Sequence, residues 1–430
     1  MGCGRARGRD RIAVSASSSP PPQPDVQTKA QAGVLDGFLV LDLTQIYNGP
    51  YATFLLARAG ARVIKVEPPL GENLRRRVRG NGVSDPFAAL NGSKESIVLN
   101  LKNAAGHSVL LDLVRKADVL VENFAPDVME RLGLSYEVLA PLNPTLVYAS
   151  GSGYGSTGPY RDYLAMDLSM QAMSGVMATT GFADGPPVKA GPALCDFLGG
   201  VHLYGAIVTA LLRRARSGCG SRVEAAMFDA IYPSLASNTG LHAIGDKGPS
   251  RTGNRHGGMS ISPYNVYPAS DGFVAILAAN DRHWFGLVEA LGLQHLNSDP
   301  RYRTRVSRVK QMTEIDRMVS ERTVTMTRAA AFKILADHRV PCAPVRELNE
   351  VIEDPHLHAT GMLRWLNHPE YGRTLVHDSP IVFADIPRTD PVPSPALGAH
   401  ADKVMRELLG FDQQRIETLA RDGAFAENDA

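Results

Sequence analysis

Cysteine is scarce in this chain. Four are spread over 430 residues (Cys3, Cys195, Cys219 and Cys342), and none belongs to a CxxC pair. That argues against a zinc site and a disulfide framework, and it suits a reducing compartment. Excess charge of one sign is missing too. With 45 basic residues against 44 acidic ones, no global field draws the chain to nucleic acid or an anionic membrane. No run approaches the roughly 18 consecutive apolar residues that a membrane-spanning helix needs. His356 and His358 sit beside Asp354 without a third spaced ligand, so no metal site is expected. There are no internal repeats.

What remains is an ordinary globular composition, 44% hydrophobic and 21% charged, in a chain too long for one core. Two or three domains are expected. Residues 1–33 stand apart: Arg5, Arg7, Arg9 and Arg11 precede a serine cluster and Pro20-Pro21-Pro22. A disordered tail is the expectation, with a mitochondrial transit peptide as the alternative to a cytoplasmic protein.

From Leu35 the pattern alternates. Residues 38–43 read as a buried strand, Asn48-Gly49-Pro50 open a helix to about Ala59, and 61–66 form a second strand. Strands at 97–101, 119–122 and 144–150 follow, with helices near 104–115 and 127–132 between them. The fold class is therefore α/β, a large doubly wound Rossmann-like domain whose first part is 34–218. Residues 219–340 change character. Two apolar runs flank Ser270-Asp271-Gly272, a hairpin signal, and a smaller α/β domain is expected there. Residues 341–430 are expected to return to the large domain, through 340–345, and to end in helices at 400–409 and 413–421.

The stretch 178–217 organises the rest. After a turn-rich entry comes Asp196, then Phe197, Leu198, Val201, Tyr204, Ile207, Val208, Leu211 and Leu212 at helical spacing. Arg213, Arg214 and Arg216 give the helix a basic end, and Gly218 a stop. Asp196 is expected at the N-cap, where an acid accepts the first free amide protons. A carboxylate there would be ionised and aimed, as a nucleophile requires. Upstream, 153–158 match GxGxxG after a strand, but Pro159 to Asp162 open no apolar helix, so the glycines read as a ligand-approach loop and not a dinucleotide site. The basic knot Arg75, Arg76, Arg77 and Arg79 is either a solvated face or a phosphate contact.

Several of these segments together resemble one family. VLDLTQIYNGPYATFLLARAGARVIKVEPP, ADVLVENFAPDVMERLGLSYE, GYGSTGPYRDY and TTGFADGPPVKAGPALCDFLGG are similar, in this order, to class III CoA-transferases, over about residues 34–425. The resemblance implies two α/β domains and an interlocked homodimer. It implies an enzyme that moves CoA from an acyl-CoA thioester to an acceptor carboxylate, with coenzyme A as co-substrate and no permanent cofactor. Asp196 matches the family's nucleophilic Asp. Tyr47, Asn48, Arg75, Leu99, Asn100, Lys102, Asn123, Phe124 and Arg131 match positions that touch CoA. Asp167 matches an acid near the reacting centre, and Gly257 and Gly258 match a glycine loop that shields the oxyanions. That loop is poorer in glycine here than in formyl-CoA transferase.

Two alternatives accompany this reading. A racemase of the same fold uses a Gly-His-Asp motif, where this chain has Ala165-Met166-Asp167 and so no proton-carrying histidine. A non-catalytic CoA-binding protein is the more distant one.

Overall fold

The computed structural model describes residues 33–76, 86–243, 245 and 251–426. The expected tail, apart from Gly33, lies outside the described residues, as do Arg77 and Arg79. Six strands form one parallel sheet: β1 (Leu39–Asp42), β2 (Arg62–Glu67), β3 (Glu95–Val98), β4 (Val119–Glu122), β5 (Val147–Ser152) and β6 (Ser221–Ala226). Their order is β3-β2-β1-β4-β5-β6. The order reverses between β1 and β4, so the loops leaving these neighbours turn to opposite faces and open a crevice.

Both faces of the sheet are covered, which is why its central strands read as continuous apolar runs. Alternation along β1 sends Leu39 and Leu41 to one face and Val40 to the other. The first face packs on the helix Ala104–Val114 and on Val404, Met405 and Leu419 of the two C-terminal helices, Ala401–Leu409 and Gln413–Arg421. The second packs on Ala52 and Leu56 of the helix Asn48–Arg58 and on Leu203, Ile207 and Leu211 of the helix Leu194–Ser217. That last helix is long and apolar enough to cross a membrane, but its stripe is buried on the sheet. It ends where expected, at Gly218, with φ of 69°.

Two boundaries differ from expectation. The large sheet does not stop at 218, because Ser221–Ala226 pairs with β5 as its edge strand. Its exposed side chains are polar (Arg222 and Glu224), which hid an edge strand among apolar ones. The chain also does not leave the small domain through 340–345. Cys342–Pro344 (β9) instead adds a third strand to the hairpin β7 (Tyr264–Ala269) and β8 (Gly272–Leu277). The small core gathers Trp284, Leu287, Ile315 and Leu335 around that sheet. A further hairpin, β10 (Leu363–His368) with β11 (Gly372–His377), precedes the return to the large domain. Its end is tied down by the buried ion pair of Arg58 with Asp378, 2.7 Å.

Candidate active site

A buried polar network lies beneath the loop that leaves β1. Lys94, fully buried, donates to Asp42 Oδ2 (2.9 Å), Thr53 Oγ1 (2.8 Å) and Asn91 Oδ1 (2.8 Å). Burial depresses the Lys94 ammonium to about 8, whereas Lys65 and Lys94 hold Asp42 well below the usual carboxylate range despite its burial. Above this pair runs the loop after β1. Asn123, in the loop after β4, clasps it from the other side of the crevice, accepting from Gln45 N (2.8 Å) and donating to Gln45 O (2.9 Å). The next residue, Ile46, has φ of 66°, a left-handed conformation that a β-branched side chain resists. Glu72 helps to hold it, accepting from Leu74 N at 2.8 Å and from Ile46 N at 3.4 Å.

Asn48 begins the helix after this loop and is only 3% exposed. Its Nδ2 donates to the Asp196 carbonyl at 3.2 Å. Glycines make room for it: a Cβ on Gly199 would stand 2.3 Å from Nδ2, and one on Gly151 would stand 2.4 Å from Oδ1. The buried Asn48 Oδ1 has no hydrogen-bond partner among the described residues. Asn48 thus joins the end of β5 to the start of the long helix.

The long helix begins at Leu194, so Asp196 is its third residue and not its N-cap. The cap position falls on Ala193, which offers no side-chain oxygen. Asp167 supplies it from another helix, Asp167–Met173: its Oδ1 accepts from Cys195 N at 2.8 Å and Asp196 N at 3.4 Å. Asp196 itself is 7% exposed. Burial, and then the negative charge of Asp167, push its carboxyl up to about 7. The helix start was expected to keep this carboxylate ionised; with its proton held up to about 7, the group is instead divided between acid and anion near neutrality. Burial and both carboxylates push the Cys195 thiol up to about 12, which keeps it protonated near neutrality.

Asp196 opens into a cleft of about 680 Å³ between the loops that follow β1, β4 and β5. Of the residues matched to CoA contacts, Asn48, Asn123 and Phe124 line it. The segment from Gly151 to Ser156 lines it as well, so the GxGxxG match is a cleft wall, and no helix opens there. Tyr154 meets Tyr160 edge-on at 5.6 Å and Tyr163 at 6.0 Å, an aromatic wall the sequence reading did not single out.

Other matched residues lie elsewhere. Tyr47 stacks on Phe197, behind Asp196, at 6.0 Å. The Arg75 guanidinium is held by both oxygens of Glu67 (2.8 and 2.9 Å) and by the Phe87 ring (3.9 Å), and Arg76 bonds Asn73. Leu99 is core, and Asn100 ties Ala426, while Lys102 and Arg131 are on the surface. Gly257 and Gly258 lie in the small-domain loop, where Gly258 N donates to His256 Nδ1 at 3.2 Å, and do not border this cleft within one chain. Asp354, suspected beside the two histidines, caps His356 N and Leu357 N. Gln171 and Gly199 were missed. The Gly199-Gly200 pair inside an apolar helical run was the available signal, because glycine there marks close approach.

Known proteins match both the chain and its fold. The family model of CoA-transferase family III covers residues 35–401. The acetyl-CoA:oxalate CoA-transferase of Acetobacter aceti is 40% identical over 77% of this chain and 85% of its own length. The succinate–glutarate CoA-transferase of Agrobacterium fabrum is 36% identical over 87% and 95%. A CAIB/BAIF family protein from Brucella suis, of known structure, is 34% identical, with a TM-score of 0.76 over 88% of this chain and all of its own. The chain belongs to CoA-transferase family III.

Proposed function

We propose that this protein transfers CoA from an acyl-CoA thioester to a free carboxylate, with Asp196 as the covalent nucleophile. One observation carries the reading: a buried carboxyl in the first turn of a long helix, opening into the crevice at the reversal of strand order. Relatives named as CoA-transferases of acetyl-CoA and oxalate and of succinate and glutarate support the reaction class.

The steps follow from carboxylate chemistry. An Asp196 oxygen attacks the thioester carbonyl, and the C–S bond breaks, leaving an acyl-aspartyl anhydride and CoA thiolate. The thiolate attacks the aspartyl carbonyl and releases the donor carboxylate, leaving an aspartyl-CoA thioester. The acceptor carboxylate attacks that thioester, giving a second anhydride and thiolate again. Thiolate attack on its acyl carbonyl completes the acceptor's CoA ester and frees Asp196. Asn48, Asn123, Phe124 and the 151–156 wall hold the CoA, and the apolar surface at the cleft (Leu164 and Met166, each more than half exposed) is covered by the second subunit of an interlocked dimer. In that dimer Gly257 and Gly258 approach the cleft of the partner and supply oxyanion amides.

The test is chemical trapping. Wild type given an acyl-CoA without acceptor, then hydroxylamine or borohydride, should carry the modification on the Asp196 peptide. Asp196→Asn should fold, bind CoA and lose transfer almost entirely. A label on Asp167 or Cys195 instead refutes the assignment. Alpha-proton exchange of a 2-methylacyl-CoA in deuterated water would move the reading to a racemase, against Met166.

A further inference from the structure

Asp167 and Gln171 form a circuit around the start of the long helix. Asp167 Oδ1 receives the Cys195 amide at 2.8 Å and the Asp196 amide at 3.4 Å. Its other oxygen accepts from Gln171 Nε2 at 2.7 Å. Gln171, fully buried, also donates to Pro192 O (3.2 Å), and its Oε1 accepts from Ala190 N (2.9 Å). The helix start and the loop leading into it are thus both read by one pair of side chains. First-turn amides have no partner inside their own helix, so this cap comes from 28 residues upstream because Ala193 offers none.

We infer that Asp167 is a positioning residue for Asp196, anchoring its turn through one carboxylate oxygen and opposing its negative charge through space. The inference rests on the nucleophile reading above. A neutral serine or asparagine at 193 would cap equally well. An acid at 167 does something a neutral cap does not, because it sets a like charge beside the group that must react. That repulsion exists only while Asp196 is a carboxylate. When its oxygen joins the acyl carbon and the C–S bond breaks, the electron pair leaves on the CoA sulfur. Asp196 then becomes a neutral anhydride, and the repulsion is gone. Asp167 therefore favours the acylated enzyme over the resting anion.

The surroundings leave this role to Asp167. Cys195 is neutral, and the helix Asn48–Arg58 presents the neutral groups Asn48 and Tyr51. The other charged or titratable groups around the long helix and the cleft are Arg222 and Glu224 on β6, Tyr148 on β5, Glu122 at the end of β4 and Asp229 on the helix Met227–Ile231. Asp167 is set apart from them by geometry, since its Oδ1 accepts from the Asp196 amide itself.

The test uses the full chain without substrate. Carboxyl carbons are labelled with 13C in aspartate, and the Asp196 signal is assigned by its loss in Asp196→Asn. In wild type it should titrate near pH 7. In Asp167→Asn, which keeps an acceptor oxygen but no charge, the midpoint should fall by about one pH unit or more. An unshifted midpoint overturns the electrostatic half of the proposal. Partial unfolding lowers the amplitude of this signal and not its midpoint.

Hydrogen exchange tests the anchor. The Cys195 amide should exchange about tenfold faster or more in Asp167→Ala than in wild type, and Asp167→Asn should restore most of the protection. If either variant loses its fold, Gln171→Leu unpins Asp167 without removing it and should speed the same amide; unchanged exchange there overturns the anchor. Failure of the nucleophile reading looks different: wild type then acquires no acyl label on Asp196, whatever its titration.

Discussion

The Asn48 carboxamide reaches the Asp196 carbonyl at 3.2 Å because residue 199 has no side chain. Gly151 closes on the other side of the same carboxamide, so Asn48 has nowhere to retreat.

Gly199→Ala should therefore destabilise the protein by about 1–3 kcal/mol, the usual range for overpacking. Gly205, on the same helix, faces open space. Alanine there should add about 0.5–1 kcal/mol, because it removes backbone freedom from the unfolded chain. Urea unfolding of both variants checks the pair, and equal effects would contradict the packing argument.

Asp196 should make stability depend on pH. Its carboxyl is raised from 3.8 to about 7, so the folded state binds the proton more tightly than the unfolded one. Wild-type stability should then fall as pH rises from about 4 to about 7 and level above that. Asp196→Asn lacks this penalty. It should match wild type below pH 4 and exceed it at pH 8 by an amount on the order of 1–4 kcal/mol. Thermal unfolding across that range is the measurement, and a variant weaker than wild type at pH 8 would count against the burial argument.

The same proton should govern rate. In the proposed mechanism the Asp196 anion attacks, so single-turnover release of CoA thiol should fall about tenfold for each pH unit below 7. A flat profile between pH 5 and 7 would mean that another group attacks.

Lys94→Met should cost about 3–5 kcal/mol, because it leaves Asp42 buried with a weakened set of partners. Adding Asp42→Leu should return much of that loss. A double variant no better than the single one would show that Lys94 acts through packing and not through its charge.

Asn123→Ala removes both bonds to Gln45 and frees the strained peptide at Ile46. Stability should drop by about 1–3 kcal/mol. Calorimetric affinity for CoA should weaken in parallel. Unchanged affinity would separate the clasp from the binding site.

Much of the fold was legible because parallel strands buried on both faces and amphipathic helices leave strong periodic signals. The expected strand at 119–122 and the helix at 413–421 coincide with Val119–Glu122 and Gln413–Arg421. The polar edge strand Ser221–Ala226 and the three-residue β9 escaped, since neither buries enough on its own to show a pattern. Local pattern could not group distant residues; of those matched by resemblance, the structure places Asn48, Asn123, Phe124 and Asp196 around one cleft.

By itself the sequence determined the alternation of strands and helices, the long helix with its glycine stop, and the presence of an acid at its start. Those are properties of neighbours along the chain, set by spacing and backbone preference. Only the tertiary structure decided what that acid is. A cap borrowed from Asp167, burial behind Asn48, and the exclusion of Arg75 from the cleft by Glu67 all join residues far apart in sequence. A carboxyl's proton affinity depends on the water and charge within a few ångströms, and the chain's order does not contain those distances.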